Sequence, residues 1–299
     1  MATATPATAA TAATAATAAI AATANISPLR YPGGKTRACK VIESVIKDHF
    51  DITSFNTIIS PFFGGGSFEF YMQNKYGLVI KANDKFTPLY NFWKQVKIDK
   101  MALCEGLRAI EAVSKEQFAD YRRTIIGLDA NTLQQAIQFF IINRCSFSGS
   151  TLSGGFSQEA SNKRFTPSSI ARIEALDFTN IEVYNEDFYD FIMNNANDAN
   201  DASDAASSLL FLDPPYYLEN KSNKLYGNNG NLHNGFNHRM LFDLLENRKN
   251  WVLTYNNCEY IRDLYKDFKI FDVKWSYGMN SSKASAEIII IPSLTRLTH

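Results

Sequence analysis

The sequence predicts an α/β fold: a wound, mainly parallel sheet interrupted by an inserted, mostly helical unit. Short apolar runs recur along the chain, helical patterns lie between them, and in one long stretch that alternation stops. The runs fall at 57–59, 78–80, 181–184, 209–212, 251–254 and 288–291. Apolar residues this continuous suit strands covered on both faces. Helical patterns at 37–50, 68–75, 88–96, 240–247 and 260–267 supply the covering layers. From 97 to 178 only helical patterns (101–113, 115–126, 132–143) and a Ser/Gly-rich piece from Ser146 to Phe156 are found. That stretch is expected to be an inserted unit with a hairpin near 146–166. The remaining body is expected at 25–96 and 179–299.

At 299 residues and 45% hydrophobic content, the chain can fill one large core and a smaller appended one. No apolar run reaches membrane-spanning length, so no membrane partner is expected. Residues 1–24 are almost wholly Ala and Thr, without the basic start and bulky apolar stretch of a signal peptide; they are expected to be a disordered tail. Cys39, Cys104, Cys145 and Cys258 are far apart and the four histidines show no ligand spacing, so no metal site is expected and the setting should be reducing and intracellular. Thirty basic residues balance thirty acidic ones, a mild count against a polyanionic partner. The balance is uneven: from Lys115 to Arg172 seven bases face four acids, a net of +3. Polar segments at 194–208 and 219–235 read as a surface insertion and a candidate lid.

Three motifs carry chemistry. Ser60-Pro61-Phe62-Phe63-Gly64-Gly65-Gly66-Ser67 lies between a strand and a helix, where glycines let a ligand approach the backbone and helix N–H groups. The plain alternative is a tight strand-to-helix turn that needs no ligand. Asp84 follows Gly64 by about twenty residues, the position at the tip of a second strand where an acid accepts ribose hydroxyls. The G-x-G-x-x-G form is absent, which favours an adenosine ligand other than a dinucleotide. Third, Asp213-Pro214-Pro215-Tyr216 ends an apolar strand. Prolines remove N–H donors and stiffen the turn. An acid, an outward carbonyl and an aromatic face together suit a flat ring bearing an amino group.

With Arg30-Tyr31-Pro32-Gly33-Gly34-Lys35 ahead of them, these motifs resemble, in kind and in order, the Dam-type (D12 class, alpha group) DNA N6-adenine methyltransferases. The resemblance runs from about Pro28 to the C-terminus. It implies a seven-stranded S-adenosylmethionine-dependent methyltransferase fold and a site-specific enzyme that methylates a flipped adenine in duplex DNA. It also implies that Tyr31, Lys35, Phe63, Gly64, Gly66, Asp84, Asp187, Phe188 and Asp213 bind S-adenosyl-L-methionine, with Lys35 near its carboxylate and Asp84 on its ribose. Asp213, Pro214 and Tyr216 would hold the target base. Asn143-Arg144 and Gly154-Gly155-Phe156 resemble the family's recognition hairpin, so Arg144, Phe147, Lys163 and Arg164 are expected at the DNA, with Phe147 as a wedge. A core role in the insert is the plain alternative for Phe147.

The chain departs from the family's usual pattern at Tyr31, where most members have Trp. The loop Ser150-Thr151-Leu152-Ser153 is short and lacks the arginine of GATC-reading members, which argues against GATC and leaves another short palindromic site open. The expected partner is double-stranded DNA, with the chain a monomer or weak dimer. A cognate restriction endonuclease acting on the same site is left open by the sequence. Two rival readings are an RNA-adenine or protein-amide methyltransferase of the same fold, and a catalytically idle DNA-binding relative. Asp rather than Asn at position 213 and the intact motif through Tyr216 speak against them.

Overall fold

A computed structural model describes residues 26–31, 33–127, 132–196, 207–218, 235–276 and 284–293. The expected tail at 1–24, Pro32 and most of the two expected polar loops lie outside the described residues.

Seven strands form one sheet in the order β3-β2-β1-β4-β5-β7-β6. They are β1 (Phe55–Ser60), β2 (Val79–Asn83), β3 (Ile181–Tyr184), β4 (Ser207–Leu212), β5 (Trp251–Asn256), β6 (Lys269–Ser276) and β7 (Ala284–Ile291). The first five pair in parallel, and β7 runs antiparallel to both β5 and β6. The expected wound, mainly parallel sheet is therefore present. Alternate residues of each central strand enter opposite cores, as a pleat requires. Leu209 and Phe211 join Ile58 and Ile80 in one, while Leu210 and Leu212 join Ile59 and Leu253 in the other.

On the first face lie α1 (Cys39–His49), α2 (Ser67–Tyr76) and α3 (Thr87–Arg108). The second face is covered by α8 (Phe188–Asn195), α9 (His238–Leu245) and α10 (Glu259–Leu264). Between α3 and β3 run α4 (Lys115–Thr124), α5 (Leu133–Cys145), α6 (Gln158–Arg164) and α7 (Pro167–Ala175). Helix α3 kinks at Asp99 (φ −153°, ψ 71°), whose carboxylate accepts from Ala102 N (2.9 Å) and so restarts the helix. The kink stands two residues past the expected start of the insert, yet the insert is not a separate ball. Helix α5 is buried on every side from Gln135 to Cys145, its polar Gln135, Gln138, Asn143 and Arg144 included. Its Phe140 stacks on Phe92 of α3 (5.7 Å, 10°), and Trp93 stacks on Phe178 (5.7 Å, 19°). These residues belong to the same core as the sheet's first face.

Two elements differ from expectation. The hairpin near 146–166 is replaced by two short 3-10 turns (Phe147–Gly149, Thr151–Ser153), a single antiparallel bridge from Ser146 to Phe156, and then α6. Serine hydroxyls bond the local main chain there (Ser150 Oγ to Phe147 O, 2.7 Å; Thr151 N to Ser146 Oγ, 3.2 Å), which competes with a ladder. Ser157 caps α6 (Ala160 N to Oγ, 3.1 Å), with Glu159 in its first turn and Lys163 and Arg164 in its last. Strand β6 escapes a search for continuous apolar runs because it is an edge strand, Lys-Ile-Phe-Asp-Val-Lys, apolar only in part.

One buried side chain ties three strand ends together. Asn83, 1% exposed, donates to Pro61 O (3.1 Å) and Glu186 O (3.1 Å) and accepts from Glu186 N (2.8 Å). Asn83→Ala would orphan three main-chain groups and should cost about 3 kcal/mol, roughly 1 per group. Chemical denaturation of the variant, with an unchanged slope, checks this.

Candidate active site

The chain leaves β1 toward β2 and β3 on one side and returns to β4 on the other. Strand ends part at such a reversal, which opens a crevice at their carboxyl edge. There lies an open cleft of about 940 Å³, solvent at its mouth included. Tyr31, Lys35, Phe63, Gly64, Gly66, Asp84, Phe188 and Asp213 all line it, with Glu69 and Phe236.

The turn between β1 and α2 uses two left-handed glycines, Gly64 (φ 52°) and Gly66 (φ 67°). A Cβ on Gly64 would stand 2.9 Å from Tyr31 Cε1, and one on Gly66 2.5 Å from Phe63 Cζ. Only glycine fits, because two aromatic rings occupy the space. Asp84 fastens the turn: its oxygens accept from Gly64 N (3.0 Å) and Phe86 N (2.9 Å). Trp93 Nε1 donates to Gly64 O (2.9 Å) from below. Each Asp84 oxygen keeps a second lone pair for a ligand. Desolvation pushes this carboxyl up to about 6, against the pull of the two N–H donors.

Asp213, at the end of β4, is held from both sides. Lys35, 3% exposed, donates to its Oδ2 (2.8 Å) and to Gly33 O (2.8 Å). Thr254 Oγ1 donates to Oδ1 (2.7 Å) from β5. The ammonium of Lys35 also lies 5.1 Å from the centre of the Tyr216 ring. Tyr216 itself stands outside the cleft lining, and its hydroxyl donates to buried Glu287 Oε2 (2.6 Å). Pro215 lines the cleft, whereas Pro214 is buried behind it. Buried Glu69 accepts from Ser60 Oγ (2.6 Å), and desolvation followed by the Asp213 charge raises its carboxyl to about 7.

Phe188 forms a wall with Phe62 (5.6 Å) and Phe236 (5.1 Å). Asp187 does not line the cleft; it caps α8 (Tyr189 N to Oδ1, 3.0 Å) and pairs with Lys85. Phe147 is 68% exposed, which removes the core alternative for it. Lys163 is exposed and pairs with Glu159 (3.0 Å), and Arg164 is half-buried. Arg144 needs correcting. It is 7% exposed, donating from Nε to Arg164 O (2.7 Å) and from Nη1 to Pro28 O (3.1 Å). A guanidinium sunk among carbonyls fastens the N-terminal segment to the insert and presents no charge to phosphate; burial lowers it to about 10.

Thr254, Glu287 and Glu69 are not marked by any of the sequence motifs, whereas Asn83 stands beside Asp84 in the strand-tip motif. Thr254 and Glu287 were findable, each being a polar residue interrupting or opening an apolar strand run.

The glycine turn and Asp84 thus line one crevice together with Asp213 and Pro215 at the end of β4. The family model for the D12 class N6 adenine-specific DNA methyltransferases matches residues 31–279, and the chain belongs to that family. It is an enzyme that methylates N6 of adenine in DNA. No curated protein sequence matches the chain. Among solved structures, the rRNA methyltransferase aviRa from Streptomyces viridochromogenes is 12% identical, over 88% of this chain and 86% of its own, at a TM-score of 0.37. No described helix is long and apolar enough to cross a membrane, and no metal-binding group of three side chains occurs among the described residues.

Thr254→Val removes the hydroxyl but keeps the shape, and loses a hydrogen bond to a charged acceptor. Turnover should fall about tenfold or more, with Thr254→Ser near the parent. Steady-state kinetics of both variants beside their melting temperatures checks this.

Proposed function

We propose that S-adenosylmethionine binds in this cleft and that Asp213, Pro214 and Tyr216 hold an adenine swung out of duplex DNA. The observation that carries the proposal is that the glycine turn, Asp84 and Asp213 all face one crevice. The residues fit the cofactor: the turn's Gly64 and Gly66 leave backbone open to the methionine end, Asp84 has acceptor capacity for ribose, and Phe188 offers a wall for the adenine ring. Asp187 supports that wall by capping its helix. Lys35 is within the cleft to meet a carboxylate. The cofactor supplies a methyl group carried on a sulfonium.

The protein's task is set by the nucleophile. The N6 lone pair is delocalised into the purine ring, so the amine attacks poorly. Asp213 and the Pro214 carbonyl accept its two N–H bonds and favour a tetrahedral nitrogen with a localised pair, and Tyr216 supports the ring. Positioning supplies the rest. A duplex hides N6, so the base leaves the stack first. Exposed Phe147 suits a wedge, and Lys163 and Arg164 at the end of α6 suit phosphate contact.

Asp213→Asn should cut methylation of duplex DNA a hundredfold or more while cofactor affinity persists. Radiolabel transfer to duplex DNA and to RNA, with calorimetry of the cofactor, tests it; turnover within about threefold of the parent would remove Asp213 from the mechanism.

Cofactor affinity should also depend on pH. Above about 6 the Asp84 carboxyl is ionised and accepts; below it the group gains a proton and an acceptor is lost. Binding should weaken several-fold between pH 7.5 and 5.5, and Asp84→Asn should start weaker and show a flat profile. Titration calorimetry at the two pH values decides.

A further inference from the structure

A second aromatic surface lies beside the cleft but outside its lining. Tyr216 and Tyr217 turn toward different neighbours. Tyr216 reaches toward Lys35 and Glu287, whereas Tyr217 lies flat on Tyr260 (centroids 4.3 Å apart, planes at 18°). His238 meets Tyr217 edge-on (5.3 Å). Asn256 Nδ2 donates to Tyr217 O (2.9 Å), so the segment carrying the ring is pinned to the end of β5. Tyr260 is in the first turn of α10, directly after β5, and remains 41% exposed. Both rings therefore stand at the carboxyl edge of the sheet, the edge that holds the cleft, and neither lines it.

We infer that Tyr260, backed by Tyr217, is a stacking platform for a nucleobase next to the target adenine. The inference rests on the reading of Asp213 to Tyr216 as the target-base site. A rigid tyrosine pair offers a flat apolar face at little entropic cost, because Tyr217 already fixes the Tyr260 ring. The substrate supplies the complement: extruding one base uncovers the faces of its neighbours, and base–aromatic stacking tolerates any sequence since every base has a π-face. Both rings lie outside the crevice, so a base stacked on Tyr260 does not enter the space of the cofactor, and Tyr216 turns away from the pair toward Lys35 and Glu287.

The test uses the full chain and a duplex carrying a mapped target adenine, beside duplexes with an abasic nucleotide at each flanking position. Tyr260→Leu should raise the KM for the intact duplex about tenfold, the scale of one lost base–aromatic stack, with the loss in KM rather than kcat. Tyr260→Phe should restore it. On the duplex abasic at the contacted position, parent and Tyr260→Leu should differ by less than twofold. An unchanged KM, or a rise of equal size on intact and on every abasic duplex, would overturn the inference and leave the pair as packing. Failure of the target-base reading itself shows separately, as an active Asp213→Asn enzyme.

Discussion

Everything at the site hangs on the three main-chain hydrogen bonds of Asn83. Where parallel strands give way to their loops the ladder hydrogen bonds end, so the spacing of the strand tips is set by whatever bridges them. Asn83 bridges from β2 to the turn after β1 at Pro61 and to the turn after β3 at Glu186. Its own carbonyl accepts from Phe63 N (2.9 Å), at the start of the glycine turn. Asp84, the next residue, then meets the turn at Gly64. An amide is suited to this work because it donates and accepts at once, and a buried carboxylate in its place would carry charge without supplying a donor.

The opposite wall is organised by charge. Lys35 and Asp213 form a largely buried pair in which Lys35 also donates to Gly33 O and Asp213 also accepts from Thr254, and each keeps capacity for a further partner. Such pairs contribute little to stability when intact, yet leave a costly bare charge when one partner goes. Their value here is directional. Two donors fix the plane of the Asp213 carboxylate. Glu69 adds a nearby acid raised to about 7 by burial and by Asp213, which keeps the negative charge of this corner low near neutrality.

Much of this was legible from residues alone. Buried parallel strands announce themselves by uninterrupted apolar runs, and the glycine turn, Asp84 and Asp213 lie where their motifs placed them, on one crevice. What escaped has a physical reason. Strand β6, an edge strand, mixes polar with apolar residues and has no continuous run to detect. Serine-rich turns choose between a ladder and local bonding by contacts several residues away. Arg144 reads as surface charge, and only the fold reveals the carbonyls of Pro28 and Arg164 that bury it. Thr254 acquires its role from a residue 41 positions earlier in the chain, which no local pattern displays.

The shared core beneath the sheet has a consequence for redesign. In many enzymes a specificity unit is a cassette that can be exchanged along with its target preference. Here Phe139, Phe140 and Phe178 come from the region between α3 and β3, yet they pack on Phe92 and Trp93 of the helix that supports the glycine turn. Cutting at the kink and grafting a foreign unit would strip those aromatics from the helix that holds the glycine turn. The helical body between α3 and β3 is therefore part of the foundation on which the cleft is built, and only its outer rim, around exposed Phe147 and the 3-10 turns, can be changed without disturbing it.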